Sequence, residues 1–182
     1  MSTFLSRILL TENNIQTTLQ TVLPTKPTLA ILLRQGECIE CTMMIDRIQK
    51  IYTDLMKLDV SIVFIANGEV NSLQRIRTRL ALSESTTLVT DPTLEIYHDF
   101  GLHSSMMATY GPKGLFSIAQ GWMKGFSQSR FGVNQAQQSG VVLFDSNREL
   151  KWIHRSQHLG DLPKVGDILE QVLLLKVDGG SV

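Results

Sequence analysis

Hydrophobic positions in this chain alternate between sheet-like runs and helix-like spacing. Thr28 is followed by the unbroken apolar run Leu29-Ala30-Ile31-Leu32-Leu33, the pattern of a strand buried on both faces. After the short polar link Arg34-Gln35-Gly36-Glu37, apolar residues recur at Met44, Ile45, Ile48, Tyr52 and Leu55, the spacing of one helix face. Val60 to Ala66 is a second apolar, β-branched run, as expected for a central parallel strand. Strand, helix, strand at this length predicts a right-handed βαβ unit. A helix is expected over 71–82, with Leu73, Ile76 and Leu80 inward and Arg75, Arg77 and Arg79 on a solvated face. Thr87-Leu88-Val89-Thr90 is a short strand. Asp91-Pro92 then offers a capping carboxylate and a proline at the first helical position, for a helix running to about Phe100 and stopped by Gly101.

The flanks follow the same logic. Residues 2–22 predict an N-terminal helical extension, one helix or two short ones, buried through Leu5, Ile8, Leu9, Ile15, Leu19 and Val22. Pro24 and Pro27 close it off before the first core strand. Residues 102–139 are too long for a structureless loop. Leu115, Ile118, Trp122 and Phe126 hint at a helix there, so a partly helical insertion is expected. Its Met106, Met107, Met123, Phe116, Trp122, Phe126 and Phe131 predict core packing, with a lid or apolar groove as the functional alternative. Gly140 to Asp145 is a strand, Ser146-Asn147 a turn, and Arg148 to Arg155 the returning strand of a hairpin. Trp152 and His154 share one of its faces, with Lys151, Ile153 and Arg155 on the other. A last helix opens after Gly160-Asp161-Leu162-Pro163, buried through Val165, Ile168, Leu169, Val172 and Leu173, and the tail from Asp178 should be loose.

Composition narrows the function. With 182 residues, one domain spanning 1–182 is expected. Seventeen basic and 17 acidic residues give a formal charge of zero, which leaves no nucleic-acid footprint. No apolar stretch approaches the roughly 20 residues of a membrane span. Ser6 and Arg7 interrupt the short run at Phe4 to Leu10, so no signal peptide is read there. A cytoplasmic location is expected, and in that compartment paired cysteines point to chemistry more than to a structural staple.

The chain holds two cysteines, Cys38 and Cys41. They fall at the start of the predicted helix, just past the first core strand. Free N–H groups and the positive end of the helix dipole stabilise a thiolate there, which predicts a lowered thiol pKa and a nucleophile at neutral pH. Residues three apart on a helix have Cβ atoms about 5–6 Å apart, within a small adjustment of the roughly 3.8 Å of a disulfide. Cys41 is in phase with Ile45 and Ile48, so it should point inward and Cys38 should be the more exposed. Two readings compete: half of a zinc site, and a pair of ordinary buried residues, against which stands their position together at a helix entry as the chain's two cysteines. However, His98, His103, His154 and His158 lie at no finger-like spacing from the pair, so neither a metal nor another cofactor is expected.

The order of elements, βαβ followed by ββα with the CxxC at the first core βα junction, resembles the thioredoxin plan. The expected fold is thus α/β and thioredoxin-like, a central mixed sheet flanked by helices. Leu32-Leu33-Arg34-Gln35-Gly36-Glu37-Cys38-Ile39-Glu40-Cys41 is similar to the active-site entry of the peroxiredoxin-like alkyl hydroperoxide reductase/thiol-specific antioxidant proteins. So are Gln137-Gln138-Ser139-Gly140 with the strand to Asp145, then Trp152-Ile153-His154-Arg155-Ser156, then Gly160-Asp161. Together these stretches carry the resemblance over about residues 25–176. Three places depart from the family pattern. Glu37 stands where the relatives often carry glycine. The loop proline of Pro-x-x-x-Thr-x-x-Cys is missing, with Cys38 at the threonine position and Cys41 at the peroxidatic one. Ser139-Gly140 stands where thioredoxins have a cis-proline.

The resemblance implies a thiol-dependent antioxidant peroxidase that reduces hydroperoxides through Cys38 and Cys41. An external dithiol such as a thioredoxin would recycle it. The alternatives are a thiol-disulfide oxidoreductase acting on disulfide substrates without peroxidase activity, and a non-enzymatic redox sensor. Thioredoxin logic makes Cys38 the attacking sulfur and peroxiredoxin alignment makes it Cys41. Arg34 is a candidate for stabilising a thiolate, with a solvated strand-end arginine as the alternative. Arg155 could supply the arginine used in peroxide activation, and Gly140 is a further candidate for thiolate or substrate support. Glu37 and Glu40 place negative charge near the thiols, which should raise their pKa. His154 and Asp161 are expected to pin the last helix to the hairpin. Whether copies of the chain assemble is left open.

Overall fold

The computed structural model describes residues 3–34, 38–126, 134 and 136–179. A 3-10 turn at Thr3–Ser6 leads into β1 (Ile8–Thr11), β2 (Gln16–Thr18) and the single turn α1 (Leu19–Val22). Then follow β3 (Thr28–Leu32), α2 (Ile39–Lys57), β4 (Ser61–Ala66), α3 (Asn71–Arg79), β5 (Thr87–Thr90) and α4 (Glu95–Asp99). The second half holds α5 (Met106–Tyr110), α6 (Pro112–Met123), β6 (Gly140–Phe144), β7 (Leu150–Arg155) and α7 (Val165–Gly179). The strands form one sheet in the order β2-β1-β5-β4-β3-β6-β7. The β3–β4 and β4–β5 pairs are parallel, and β6 joins β3 antiparallel. The βαβ unit, the hairpin and the final helix therefore stand as the periodicity predicts.

Central strand β3 is buried along its whole length, as its apolar run requires. One face of the sheet packs against α2, α3 and α7 through residues such as Ile48, Leu55, Ile76, Val141 and Ile168. The other packs Ala30, Leu32, Val142 and Phe144 against Ile96, Tyr97, Phe100 and Leu102. Trp152 joins the first cluster and Ile153 the second, the alternation expected of β7. His154 Nε2 lies 2.9 Å from the Asp161 carbonyl, tying the hairpin to the approach of α7. Among the described residues, no helix is long and apolar enough to cross a membrane.

Several expectations fail, each for a local reason. The predicted helical extension over 2–22 is instead centred on the hairpin β1–β2, with only the single turns at Thr3–Ser6 and Leu19–Val22 helical. Asn14 adopts a left-handed φ of 58° at its turn, and β1 pairs antiparallel with the edge of β5. Capping an open sheet edge outweighs a weak helical period in a Thr- and Ile-rich stretch. Ile8 and Ile15 consequently end up exposed. On α2, Ile51 is buried where Tyr52 was expected, and Tyr52 is half exposed. Leu173 of α7 is exposed as well. Helix α7 continues through Asp178 to Gly179, and the rest of the expected loose tail lies outside the described residues.

Asp91 caps, but one turn early. Its carboxylate accepts from the N–H of Thr93 at 3.1 Å and of Ile96 at 2.8 Å. Left-handed Leu94 delays α4 to Glu95. Arg77 is buried, not solvated. Its guanidinium donates to Glu12 at 2.5 Å, to the Thr86 carbonyl at 3.0 Å and to the Ser83 carbonyl, clamping the N-terminal hairpin to α3. Replacing Arg77 by Met should therefore cost about 2–4 kcal/mol in urea unfolding, because acceptors and a part-buried carboxylate lose their partner. Glu12→Gln should cost less, since that side chain meets more water.

Candidate active site

The site assembles where β3 gives way to α2. Leu33 N–H donates to the Ile65 carbonyl at 2.8 Å, extending the β3–β4 ladder by one residue. Tyr97 Oη stands within 2.7 Å of the Leu33 carbonyl and 2.9 Å of the Ile65 carbonyl. Asn67 Nδ2 donates to the carbonyl of Arg34. These bonds fix the chain immediately before the thiols. Cys38 is the N-cap of α2, in extended geometry, and its Sγ accepts from the Cys41 N–H at 3.4 Å. The two sulfur atoms lie 3.0 Å apart as free thiols, about 1 Å longer than the roughly 2.05 Å of a disulfide bond.

Neither cysteine is exposed: Cys38 is 0 % and Cys41 2 % accessible. The expected exposure of Cys38 is therefore corrected. Helix α6 packs beside the first turn of α2, with a glycine at the contact. A Cβ on Gly121 would stand 2.5 Å from Ile39 Cδ1. The expected fall in thiol pKa is corrected too. Burial pushes the Cys38 thiol well above its ordinary value, the neighbouring Cys41 adds to that, and Arg34 and the Cys41 N–H oppose it. Desolvation of the charged form outweighs the helix terminus here.

Arg34 is buried at 1 % exposure, so the solvated alternative fails. Its Nη2 donates to Thr109 Oγ1 at 3.1 Å, and Gln138 Nε2 donates to the same oxygen at 3.0 Å. The guanidinium lowers the pKa of both Cys38 and Glu40. Gly140 and Arg155 are paired across β6 and β7, but they look toward the opposite face. Gly140 leaves room for Leu102, whose Cδ2 a Cβ would meet at 2.7 Å, and Arg155 Nε donates to the Phe100 carbonyl at 2.6 Å. Arg34 is thus brought to the thiols, while Arg155 and Gly140 brace the turn after α4. Glu37 lies outside the described residues.

The residue whose role sequence reasoning missed is Glu40. Its side chain is fully buried. Ser139 Oγ donates to Oε1, and the Gly160 N–H donates to Oε2 at 3.3 Å. Ser156 Oγ lies 2.8 Å behind Ser139, so two strand-end hydroxyls form a short chain into the carboxylate. Burial, with a lesser electrostatic contribution from the neighbouring Cys38, raises the Glu40 pKa to about 7, against the lowering effects of Ser139, Arg34 and Gly160. Ser139, at the place of the thioredoxin cis-proline, thereby acts as a hydrogen-bond donor to the motif. The signal available in the sequence was the glutamate inside the CxxC itself, legible as a charge but not as a buried one.

The insertion also departs from expectation. It is helical as α5 and α6, yet Met106, Met107, Leu115, Phe116, Trp122 and Met123 are exposed rather than packed in the core. Phe126 alone of the expected set packs against the core from half-buried, and Phe131 lies outside the described residues.

Comparison with known proteins agrees with this architecture. Residues 47–158 match the sequence model of the AhpC/TSA antioxidant enzymes. That stretch is more than half of the chain, although it begins beyond Cys41. No curated protein matches. Among solved structures, the Xanthomonas campestris bacterioferritin comigratory protein, described for alkyl peroxide reduction, is similar. Its TM-score is 0.63 at 13 % identity, over 98 % of this chain and 95 % of that one. The peroxidoxin BcpB of Mycobacterium tuberculosis follows at 0.62 and 12 %, over 94 % and 92 %. A secreted Mycobacterium tuberculosis disulfide oxidoreductase homologous to E. coli DsbE gives 0.57 and 11 %, over 96 % and 99 %. At such identities the likeness establishes the thioredoxin-like fold.

The buried carboxyl makes stability pH-dependent in a definite direction. With its folded pKa raised from 4.5 to about 7, Glu40 holds a proton that the unfolded chain has released between those values. Stability should fall as pH rises from about 4.5 to about 7, by up to about 3 kcal/mol, and the contribution should be gone above that window. Urea unfolding of Glu40→Gln across the same range should lack this slope.

Proposed function

This chain belongs to the AhpC/TSA antioxidant-enzyme family, thiol-based oxidoreductases, and from that premise we propose that it reduces hydroperoxides through a Cys38–Cys41 dithiol/disulfide couple. One observation carries the choice of substrate: sulfurs 3.0 Å apart are paired for disulfide closure yet almost wholly covered. A small hydroperoxide needs a smaller opening of that cover than a protein substrate does. A disulfide on a folded protein would need a wider opening before the first step, whereas the recycling dithiol meets the protein only after the Cys38–Cys41 disulfide has formed.

Cys38 is the attacking sulfur in this reading. Its Sγ accepts the Cys41 N–H, and the buried Arg34 favours its ionised form. Glu40, whose carboxyl titrates at about 7, takes the thiol proton; general bases poised near the working pH do this best. The thiolate attacks one peroxide oxygen and the O–O bond breaks. The alcohol leaves after taking up a proton, and sulfur, oxidised by two electrons, carries the hydroxyl as a sulfenic acid. Cys41 then attacks Cys38 Sγ, expelling that hydroxyl as water and closing the disulfide. An external dithiol, of the thioredoxin kind, returns two electrons by exchange. The reducing cytosol suits such a cycle.

The close spacing within one helical turn favours a second reading, reduction of protein disulfides. Stopped-flow peroxide consumption coupled to a thioredoxin system separates the two. Wild type should turn over, Cys38→Ser should be inert, and Cys41→Ser should consume about one equivalent and leave a trappable sulfenic acid. Reduction of insulin disulfides without any peroxide turnover would establish the second reading instead.

A further inference from the structure

Helix α6 is inside out. The side it turns toward the protein holds Gly114 and Gly121, both buried. Around the opposite side stand Leu115, Phe116, Trp122 and Met123, with Phe116 64 %, Trp122 63 % and Met123 87 % exposed. The glycines are forced by close approach: a Cβ at Gly114 would overlap the Thr109 carbonyl, and one at Gly121 would meet Ile39. Nothing of that kind explains large apolar side chains in water. Met106 and Met107 of the preceding helix extend the patch. Six of the 14 exposed large hydrophobic residues among the described ones thus fall within 106–123, a concentration that marks an interaction surface.

Charge identifies what covers it. From Gly101 to Phe144 the sequence contains no Asp or Glu, in a chain whose formal charge is zero. At 100° per residue, Lys113 and Lys124 lie on the same flank of α6, three turns apart, and both are exposed. The shallow cleft beside Lys124 adds Arg47 and Lys50, and its acid, Asp46, is held by Lys50 at 2.7 Å. A ridge of Trp, Phe, Leu and Met bordered by cations has the make-up of a helix that lies in the plane of a lipid interface. A second copy meeting the same patch across a two-fold axis would set these lysines against one another. We propose that α5 and α6 dock this protein on an anionic bilayer surface, with Phe116 and Met123 entering the acyl boundary and Lys113 and Lys124 facing the headgroups. Docked this way, the dithiol lies one helix thickness from the lipid, because Gly121 rests on Ile39 between the two cysteines.

Flotation with phosphatidylcholine vesicles, with and without roughly one-third phosphatidylserine, tests this. Wild type should float with the anionic vesicles and be released by salt. Lys113→Glu with Lys124→Glu should weaken that binding by about tenfold or more, and Phe116→Ser with Met123→Ser should abolish it. These substitutions are on the surface, so circular dichroism should be unchanged in both. Cys38→Ser should bind as wild type does, which keeps the result independent of the redox reading. Failure of wild type to float, or equal flotation of the double variants, overturns the proposal. So does a wild-type dimer in sedimentation that both double variants convert to monomer while vesicle binding is absent.

Discussion

Two thiols and a carboxyl group are withdrawn from water at the first turn of α2, and much of the surrounding structure answers to that. An isolated carboxylate in such a place would be strongly disfavoured. Here Glu40 receives the Ser139 hydroxyl and the Gly160 N–H, with Arg34 supplying the compensating charge. The partners come from four separate parts of the chain: the end of β3, the entry to β6, the end of β7 through Ser156, and the approach to α7. The first three adjoin sheet strands, and the fourth is tied to β7 through His154 and the Asp161 carbonyl. The site is therefore an outcome of strand order, since β3 between β4 and β6 is what brings residues 34, 40, 139 and 160 together.

The same burial shapes reactivity. A helix N-terminus ordinarily favours a thiolate, yet at Cys38 desolvation wins and the thiol is held in its neutral form. In the proposed cycle, reactivity is switched on by approach of substrate, by the charge of Arg34, and by a nearby group ready to take a proton. Glu40, titrating near neutrality, is suited to that exchange. Beside this turn, α6 meets α2 through Gly121 and Ile39.

Much of this was legible in the sequence. The buried run at Leu29 to Leu33, the CxxC, the helical period of Met44 to Leu55 and the Asp145 turn all encode local geometry, and each element formed in place. What local pattern could not convey was partnership across the sheet. Nothing around Glu12 announces that it will meet Arg77, and the weak helical period of residues 2–22 gave way to an open β5 edge. Likewise Glu40 reads as a negative charge beside the thiols, and its burial shows only when Ser139 and Gly160 arrive from the far half of the chain. The exposed Phe116, Trp122 and Met123 inverted the usual rule because glycines make the close contacts of α6, Gly121 with Ile39 of α2 and Gly114 with the Thr109 carbonyl.

The most direct test of the account is the intact mass of the reduced protein after one equivalent of hydroperoxide. A loss of about 2 mass units, mapped to a peptide joining Cys38 to Cys41, is the predicted result. An unchanged mass under excess peroxide, or a gain of oxygen on one cysteine with the other left as thiol, would contradict it.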